Sequence, residues 1–552
     1  MEDRFPIYIL IASILVLLFL FSRGFYTFDF YIHSRIAEHY KQMWFSTFDQ
    51  KVGMTELTTY PPIAHQLLAI LYLFLPINIG YTLLMGTSLV LFAYFLSKFS
   101  VEYLELGGKH FWLIYIILIT SPGILMTVFV FGQITSMVGF AFGAMSIYYL
   151  SKFVDNEKSK YLLLSELALV LTAFSNVISF IVISIIYVIL AISEHKALLN
   201  RLGDVIKLSI FPLLLLMSIY YPFIQNFMSE SLIPSKEIIH FSRYPFALEI
   251  NIERWYSMYG FSLLMVRLPL FLCVSPQKHT RKFITLYFIA ACLLLIGLGR
   301  TTPATKVFLG FEYWLTYERF AVFSAALFWI FFVYFIPNIP KLEILYRNKK
   351  FEIVKILIIL IIVASNINDL YNSHSLFLMV PVGHYDQNRA EITEYALSFL
   401  DESKGYYRYQ TFGYGRAIGE IYLYSRLPTL DSDYYTGRTI DWIRDSGYSE
   451  IDQITNMTFL DTFIEHADEY SIKYILTFDE YHENYMKTSD WKLLNRANFS
   501  TKAVTIWENP DSVSEVAHVE EEFKSINYIR GVIPMFALLI FSALHINHRR
   551  FT

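Results

Sequence analysis

The sequence has little charge and almost no cysteine. Only 17% of its 552 residues are charged, and the formal net charge is -4. Nucleic-acid binding needs a concentrated basic surface, so this balance argues against a nucleic-acid partner. The two cysteines, Cys273 and Cys292, both lie in apolar stretches. They indicate neither a disulfide framework nor a cysteine metal site.

Apolar residues are abundant instead. Hydrophobic residues make up 55% of the chain and aromatic residues 18%, and the mean hydropathy is +0.43. Soluble domains are about a quarter charged, so the composition predicts an integral protein of the cell membrane. The first apolar segment, 6–21, is not followed by a small-residue cleavage site. We therefore expect a retained helix rather than a signal peptide.

Stretches that approach the length of a membrane helix, about 20 residues or roughly 17 at the least, recur along the chain. The predicted spans are 6–21, 79–98, 111–131, 133–151, 161–174, 177–193, 206–224, 257–274, 283–298, 318–337, 352–367 and 527–546. Ser175-Asn176 is the predicted tight turn between two of them. Pro122-Gly123 is expected to kink its span, and Gly132-Gln133 to turn the chain back at the outer face.

Lysine and arginine in the loops set the predicted orientation. The basic loops and tail are predicted to be cytoplasmic, namely those around Lys196, Lys278, Lys341 and Arg549. If Asp29 lies outside, the chain must cross the membrane an odd number of times between Pro62 and Leu150. Counting Ile63 to Leu75 as a span would make that number even, and its roughly 13 residues are short for a span. We predict that this run is a helix in the outer interface, started by Pro61-Pro62. The result is about 12 spans with both termini in the cytoplasm.

The composition becomes charged and polar late in the chain. Apolar stripes from Ile392 to Leu400 and from Phe459 to Ala467 predict helices, whereas 406–412, 473–478 and 502–507 are typical of strands. Two Asn-X-Ser/Thr sequons, at Asn456 and Asn498, agree with an outside location. The predicted fold is an all-α polytopic membrane bundle with a small extracytoplasmic α/β domain before the last helix. Its parts are the bundle 1–379 with a first outer loop 22–78, the α/β domain 380–523, and the final helix with a cytoplasmic tail 524–552.

Asp29 follows the first span in an aromatic sequence. If 29–40 is helical, Asp29 and His33 share one face, because they are four residues apart. Asp29 is either a carboxylate that is solvated or pairs with Arg23 or Arg35, or a general base whose pKa is raised by partial desolvation. His33 either orients it, contacts a phosphate or is structural. Glu38 is the alternative base.

Several short motifs, taken in order, resemble the polytopic GT-C glycosyltransferase superfamily. They are Asp29 with His33 and Arg35, Tyr60-Pro61-Pro62, Ser121-Pro122, and Gly132-Gln133. Within that superfamily the chain is similar to the membrane proteins labelled "6-pyruvoyl-tetrahydropterin synthase-related", and this likeness extends through 413–435 and 504–510. Those relatives usually carry a histidine directly before the aspartate, where this chain has Phe28. The gap from His33 to Arg35 is also shorter here. The zinc site of the pterin enzyme itself is absent.

The resemblance implies an inverting glycosyltransferase that moves a sugar from a polyprenyl-phosphate donor to a lipid, glycan or protein acceptor at the outer face. Asp29 would take the proton of the acceptor hydroxyl, with His33 beside it. Arg300 and Arg319 would stabilise the leaving phosphate from the outer ends of two neighbouring spans. Arg35, Tyr60 and Gln133 complete the predicted substrate site. No metal ligand is assigned, and a divalent metal is left open as a cofactor.

Each of these residues also has a structural interpretation. The two arginines are also typical of interfacial snorkelling, and Tyr60 and Gln133 of helix packing. Asp431-Ser432-Asp433 has the Asp-X-Asp form of metal–nucleotide sites but lacks the nucleotide fold, so we predict a turn. Glu166 and Arg267 lie within spans and are expected to pair. The competing function is a non-catalytic membrane transporter or assembly factor for surface glycolipids, which would depend on such deep ionisable residues.

Overall fold

The computed structural model describes residues 28–49, 55–56, 60–125, 127–128, 132–228, 280–297, 318–335, 389–432, 438–449, 457–499, 502–511, 513–516 and 527–550. The predicted spans 6–21, 257–274 and 352–367 lie outside these residues, as do Arg23, Arg267, Arg300, Asp433 and Asn456. The described part contains a helical bundle and a unit that combines helices with a sheet.

The bundle is built from long apolar helices joined by short connections. Up to residue 335 its described helices are α1 Phe28–Gln42, α2 Ile63–Leu71, α3 Ile77–Tyr103, α4 Lys109–Ile119, α5 Pro122–Leu125, α6 Ile134–Asn156, α7 Ser159–Ala173, α8 Val177–Ser193, α9 His195–Asn200, α10 Leu202–Met228, α11 Thr280–Gly297 and α12 Glu318–Phe335. A two-residue antiparallel pair, β1 Phe48–Asp49 and β2 Thr55–Glu56, follows α1.

Helices occupy the predicted spans that fall within the described residues. Four of these helices are long and apolar enough to cross a membrane, at Ile77–Tyr103, Ile134–Asn156, Leu202–Tyr221 and Tyr528–Asn547. Shorter apolar helices lie at His110–Ile119, Val177–Ser193 and Arg319–Phe331. The total of about 12 spans and their orientation stay predictions.

The predicted turns are present, with one correction. Asn176 caps α8, and its side chain accepts a hydrogen bond from the Ser179 amide at 2.9 Å. Gly132 turns the chain into α6 with φ of 61°, a conformation that glycine adopts without strain. Pro122-Gly123 does not kink a continuous span, because α4 ends at Ile119 and Pro122 starts α5. Proline fits a first helical position but would clash with the preceding turn in a helix interior.

The helix predicted after Pro61-Pro62 begins at Ile63 and is too short to cross a membrane. Its nine residues rise only about 14 Å, against a hydrocarbon core of roughly 30 Å. Its polar residues His65 and Gln66 are fully buried against the rest of the protein. The Gln66 amide donates to the Arg530 carbonyl at 3.2 Å, and the Ile63 amide donates to the Phe174 carbonyl at 2.9 Å. The polar face of this helix is therefore bound to the bundle, and its location in the outer interface stays a prediction.

Residues 389–516 form a four-stranded sheet with helices, and the chain then returns to the bundle. The helices are α13 Arg389–Glu402, α14 Ile418–Tyr424, α15 Asp441–Asp445, α16 Met457–Glu465 and α17 Glu480–Met486; the strands are β3 Arg408–Phe412, β4 Ile472–Thr477, β5 Lys492–Phe499 and β6 Lys502–Glu508; the last bundle helix is α18 Tyr528–Arg550. The sheet order is β3-β4-β6-β5, with β3 parallel to β4 and the other neighbours antiparallel. Its position outside the membrane stays a prediction.

Helix α1 packs between the bundle and this sheet unit. Phe30 and Tyr31 belong to the apolar core of the bundle. Ile32, Ile36 and Tyr40, spaced by four residues along another face, belong to the core that contains α13, α14 and the sheet. Because both faces are buried, the start of α1 is held rigidly between the two parts.

Asp431 of the Asp-X-Asp motif forms a buried ion pair. Its carboxylate receives two hydrogen bonds from Arg438, at 3.0 and 2.7 Å, and both side chains are at most 3% exposed. Such a bidentate pair satisfies the carboxylate without a metal. Asp431 therefore has a structural role, and the turn through Asp433, which lies outside the described residues, stays a prediction.

Removing the partner of this buried carboxylate is expected to destabilise the sheet unit strongly. Arg438→Ala would leave Asp431 charged and unpaired in the interior, at a cost of about 3–5 kcal/mol. Thermal unfolding and limited proteolysis of the full-length protein in detergent measure the effect. The control is Arg444→Ala, whose partners Asp441 and Asp445 are 80% and 36% exposed and so keep their contact with water, and about 0–1 kcal/mol is expected from loss of these pairs. Equal losses in the two variants would contradict the structural role of Arg438.

Candidate active site at the start of helix α1

Asp29 lies in the first turn of α1, as the sequence predicts. A carboxylate is favoured there because the first backbone N–H groups of a helix have no intrahelical acceptor. Asp29 is half-buried and lies within electrostatic reach of the Tyr81 hydroxyl on α3. The ring of Phe30, the next residue, packs edge-on against Tyr81 with centroids 4.8 Å apart. The carboxylate therefore lies near the Tyr81 hydroxyl and remains partly open to solvent.

His33 follows one turn later and is buried against a second histidine. Its Nδ1 lies 3.0 Å from Nε2 of His65 on α2. Burial, aided by the positive charge of Arg319, lowers the pKa of His33 to about 3. Burial also lowers the pKa of His65 well below its usual value, and His33 and Arg530 act in the same direction. Both imidazoles are therefore neutral at physiological pH.

Tyr60 packs against both histidines. Its ring meets His33 edge-on at 5.5 Å and His65 at 5.7 Å. The guanidinium of Arg530, in the first turn of α18, donates to the Tyr60 carbonyl and, at 3.2 Å, to the Tyr40 hydroxyl. The last helix of the chain thus fixes the segment that precedes α2.

Gln133 and Arg319 meet each other beside this cluster. Gln133 precedes α6 and is buried, and Arg319 lies in the first turn of α12. Nε of Arg319 donates to Oε1 of Gln133 at 3.0 Å. The charge of Arg319 also reaches His33. A guanidinium is therefore held near the histidines by a neutral amide.

Two other residues of α1 lie on different faces from this cluster. Arg35 is buried, but two helical positions place it about 200° around the axis from His33. Its assignment to the substrate site stays a prediction. Glu38 lies two and a half turns from Asp29, on the opposite face, and pairs with Lys41 at 3.2 Å. Of the two candidate bases, only Asp29 shares the face of His33.

His65 and Arg530 are site residues that the sequence reasoning missed. Each carried a signal: His65 is a polar residue in an apolar run after Pro61-Pro62, and Arg530 is a charged residue inside the predicted span 527–546. Arg300, assigned with Arg319 to the phosphate, lies outside the described residues. Among those that are described, no group of three or more histidine, cysteine, aspartate or glutamate residues is arranged to hold a metal ion. Glu166 accepts a hydrogen bond from Ser209, whereas its predicted partner Arg267 is not described.

No protein-family model matches the sequence, and a search of curated proteins finds no match. Solved structures do match over almost the whole chain. The structure of ArnT from Cupriavidus metallidurans bound to undecaprenyl phosphate has a TM-score of 0.56, with 10% identity, covering 91% of this chain and 98% of that one. ArnT in the apo state gives a TM-score of 0.53 with 11% identity, covering 92% and 98%. This chain has the fold of ArnT.

ArnT is a GT-C glycosyltransferase, so the expected GT-C fold is confirmed. The narrower likeness to the proteins labelled "6-pyruvoyl-tetrahydropterin synthase-related" is not supported by these comparisons and stays a prediction. Identity of 10% establishes the fold alone. What the chain does has to be argued from the cluster itself: a half-buried carboxylate, two neutral imidazoles and a fixed guanidinium.

Proposed function

We propose that this protein is an integral membrane glycosyltransferase that transfers a sugar from a polyprenyl-phosphate donor to a lipid, glycan or protein acceptor at the outer membrane face. One observation carries the proposal: residues far apart in sequence gather at the start of α1 in an ArnT-like fold. They are Asp29, His33, Tyr60, Gln133 and Arg319. The undecaprenyl phosphate bound by ArnT supports a lipid-phosphate donor.

Asp29 is the proposed general base. Its carboxylate takes the proton of the acceptor hydroxyl while the hydroxyl oxygen attacks the anomeric carbon of the donor sugar. The bond from that carbon to the lipid phosphate breaks on the opposite side, so the configuration inverts. Asp29 suits this role because it is half-buried and sits one turn from His33, next to the ring of Phe30.

Arg319 is the proposed partner of the departing phosphate. Charge grows on the phosphate oxygens as the glycosidic bond breaks, and a positive group already in place stabilises that charge without having to reorient. The hydrogen bond from Nε to Gln133 holds the plane of the guanidinium, whose planar geometry matches that of a phosphate. Arg300 is proposed to act with it. Membrane location with both termini in the cytoplasm, and an outside position for the sheet unit, belong to the same proposal.

A deletion strain tests this proposal in the cell. We expect one surface glycolipid, glycan or glycoprotein to lose a sugar, and its unmodified acceptor to accumulate, as measured by mass spectrometry of the cell envelope. The intact gene and a Glu38→Gln version should restore the sugar, and an Asp29→Asn version should not. Unchanged glycans would contradict the proposal. Complete glycolipids held on the inner leaflet would instead support a transporter.

A further inference from the structure

Tyr81 lies between the two halves of the proposed site. It belongs to α3, and its side chain is fully buried. Its ring packs edge-on against that of Phe30, the neighbour of Asp29, with the ring centroids 4.8 Å apart. At the far end of the side chain, the hydroxyl donates a hydrogen bond to the backbone carbonyl of Gly132. One buried side chain therefore contacts both the start of α1 and the turn that precedes α6.

The carbonyl that receives this hydrogen bond also closes a tight turn at Gln133. Gly132 has a φ of 61°, and Gln133 has φ and ψ of -81° and 71°. The angles at Gln133 are those of an inverse γ-turn, in which the residue after the centre bonds back to the residue before it. The Ile134 amide makes that bond, donating to the Gly132 carbonyl at 2.9 Å. A carbonyl oxygen has two lone pairs, so it accepts from Ile134 and from Tyr81 together.

This turn sets the direction of the Gln133 side chain, which in turn holds Arg319. The backbone amide of Gln133 donates to the Thr127 carbonyl at 3.1 Å, so the turn is bonded on this side as well. Oε1 of Gln133 accepts from Nε of Arg319 at 3.0 Å. Contacts thus run without a break from the Tyr81 hydroxyl, through Gly132 and Gln133, to the guanidinium.

An inverting transfer needs its base and its phosphate partner at a set distance, since they act on opposite sides of the anomeric carbon. A misplacement of about 1 Å can cost on the order of 10²-fold in rate, even when its cause is remote from the chemistry. We infer that Tyr81 is a positioning residue that holds the Gln133–Arg319 pair at a fixed distance from the start of α1, where Asp29 lies. The inference rests on the proposed function of Asp29 and Arg319.

The anchoring role of Tyr81 can be measured without any substrate. Tyr81→Phe keeps the ring that packs against Phe30 and removes only the hydroxyl that holds the Gly132 carbonyl. Hydrogen exchange of the peptide that contains Gln133 and Ile134 would be followed by mass spectrometry of the full-length protein in lipid nanodiscs. We expect exchange to become roughly 2- to 10-fold faster in Tyr81→Phe, as loss of one hydrogen bond predicts. Unchanged exchange would overturn the inference, whatever the protein catalyses.

Steady-state kinetics then separate positioning from a general loss of packing. For Tyr81→Phe we expect kcat to fall by roughly 10- to 10²-fold with little change in KM, because the donor still binds but the reacting groups are misplaced. The matched control is Tyr149→Phe. Tyr149 is also buried, its hydroxyl bonds to Nδ1 of His545, and it follows Gln133 by 16 residues, about 24 Å along α6. Its variant loses a buried hydroxyl far from the site and should transfer normally.

A double-mutant cycle tests the route through Gln133. In a protein that already carries Gln133→Leu, Tyr81→Phe should cause little further loss, because the contact through which Tyr81 acts is gone. Additive losses would overturn this route, and equal losses in Tyr81→Phe and Tyr149→Phe would assign Tyr81 to packing alone. Absence of transfer by the unmutated protein would remove the proposed function, and the exchange measurement would still decide whether Tyr81 holds the turn.

Discussion

Asp29→Asn is expected to lower the rate of sugar transfer by about 10² to 10⁴, the contribution typical of a general base. Asparagine keeps the shape of the side chain and its hydrogen bonding at the first turn of α1, but it cannot take a proton at neutral pH. The variant should therefore fold, insert and bind the donor as the unmutated protein does. Initial rates in proteoliposomes at saturating donor, together with a separate donor-binding measurement, distinguish lost chemistry from lost binding.

Glu38→Gln is the matched control for this variant. It makes the same change of carboxylate to amide on the same helix, but on the opposite face, where Glu38 pairs with Lys41 at 3.2 Å. We expect its transfer rate to be unchanged. Full transfer by Asp29→Asn with no transfer by Glu38→Gln would move the active site to the other face of α1. Normal rates in both would leave the base to be sought elsewhere in the chain.

Arg319→Ala is expected to lower transfer by on the order of 10², because it removes a charge placed where negative charge develops. Arg319→Lys should also be impaired. Lysine keeps the positive charge, but it has no Nε–H to hold Gln133 and no planar pair of terminal donors for a phosphate. The loss should appear in kcat more than in KM if the contact strengthens as the phosphate departs.

An exposed arginine far from the cluster is the control for Arg319. Arg201 pairs with Glu157 at 3.4 Å, with both side chains over 40% exposed, and Arg201→Ala should transfer normally. Gln133→Leu leaves the guanidinium in place without its anchor and should cause a smaller loss than Arg319→Ala. Normal turnover by Arg319→Ala would place the phosphate elsewhere, with Arg300 as the next residue to replace.

Much of this fold follows from local patterns in the sequence. Long apolar runs predict the bundle helices because a helix that is apolar on most sides is stable only inside protein or membrane. The apolar stripe from Ile392 to Leu400 has helical spacing and predicts α13 as a helix that buries one face. Strand β5 was missed because its residues are mostly exposed and do not alternate, as is common at a sheet edge. Its pairing with β6 decides its structure.

The site was predictable only in part, since its contacts are long-range. The four-residue spacing of Asp29 and His33 predicts their common face, and the same geometry places Arg35 on another face of α1. By contrast, no local pattern predicts that His65 contacts His33, 32 residues away, or that Arg530 contacts Tyr60, 470 residues away. Those contacts depend on how α2 and the last helix pack against α1. Only the three-dimensional fold reveals them.

The central claim is that this protein moves a sugar from a lipid phosphate. Its most direct test is to incubate proteoliposomes of the purified, unmutated protein with a polyprenyl-phosphate-linked sugar and extracted envelope acceptors, and to follow both parts of the donor. We predict that free polyprenyl phosphate and sugar-modified acceptor appear together, in equal amounts, and that Asp29→Asn produces neither. An unchanged donor pool, with intact glycolipids moving across the bilayer, would contradict this claim and return the protein to the transporter class.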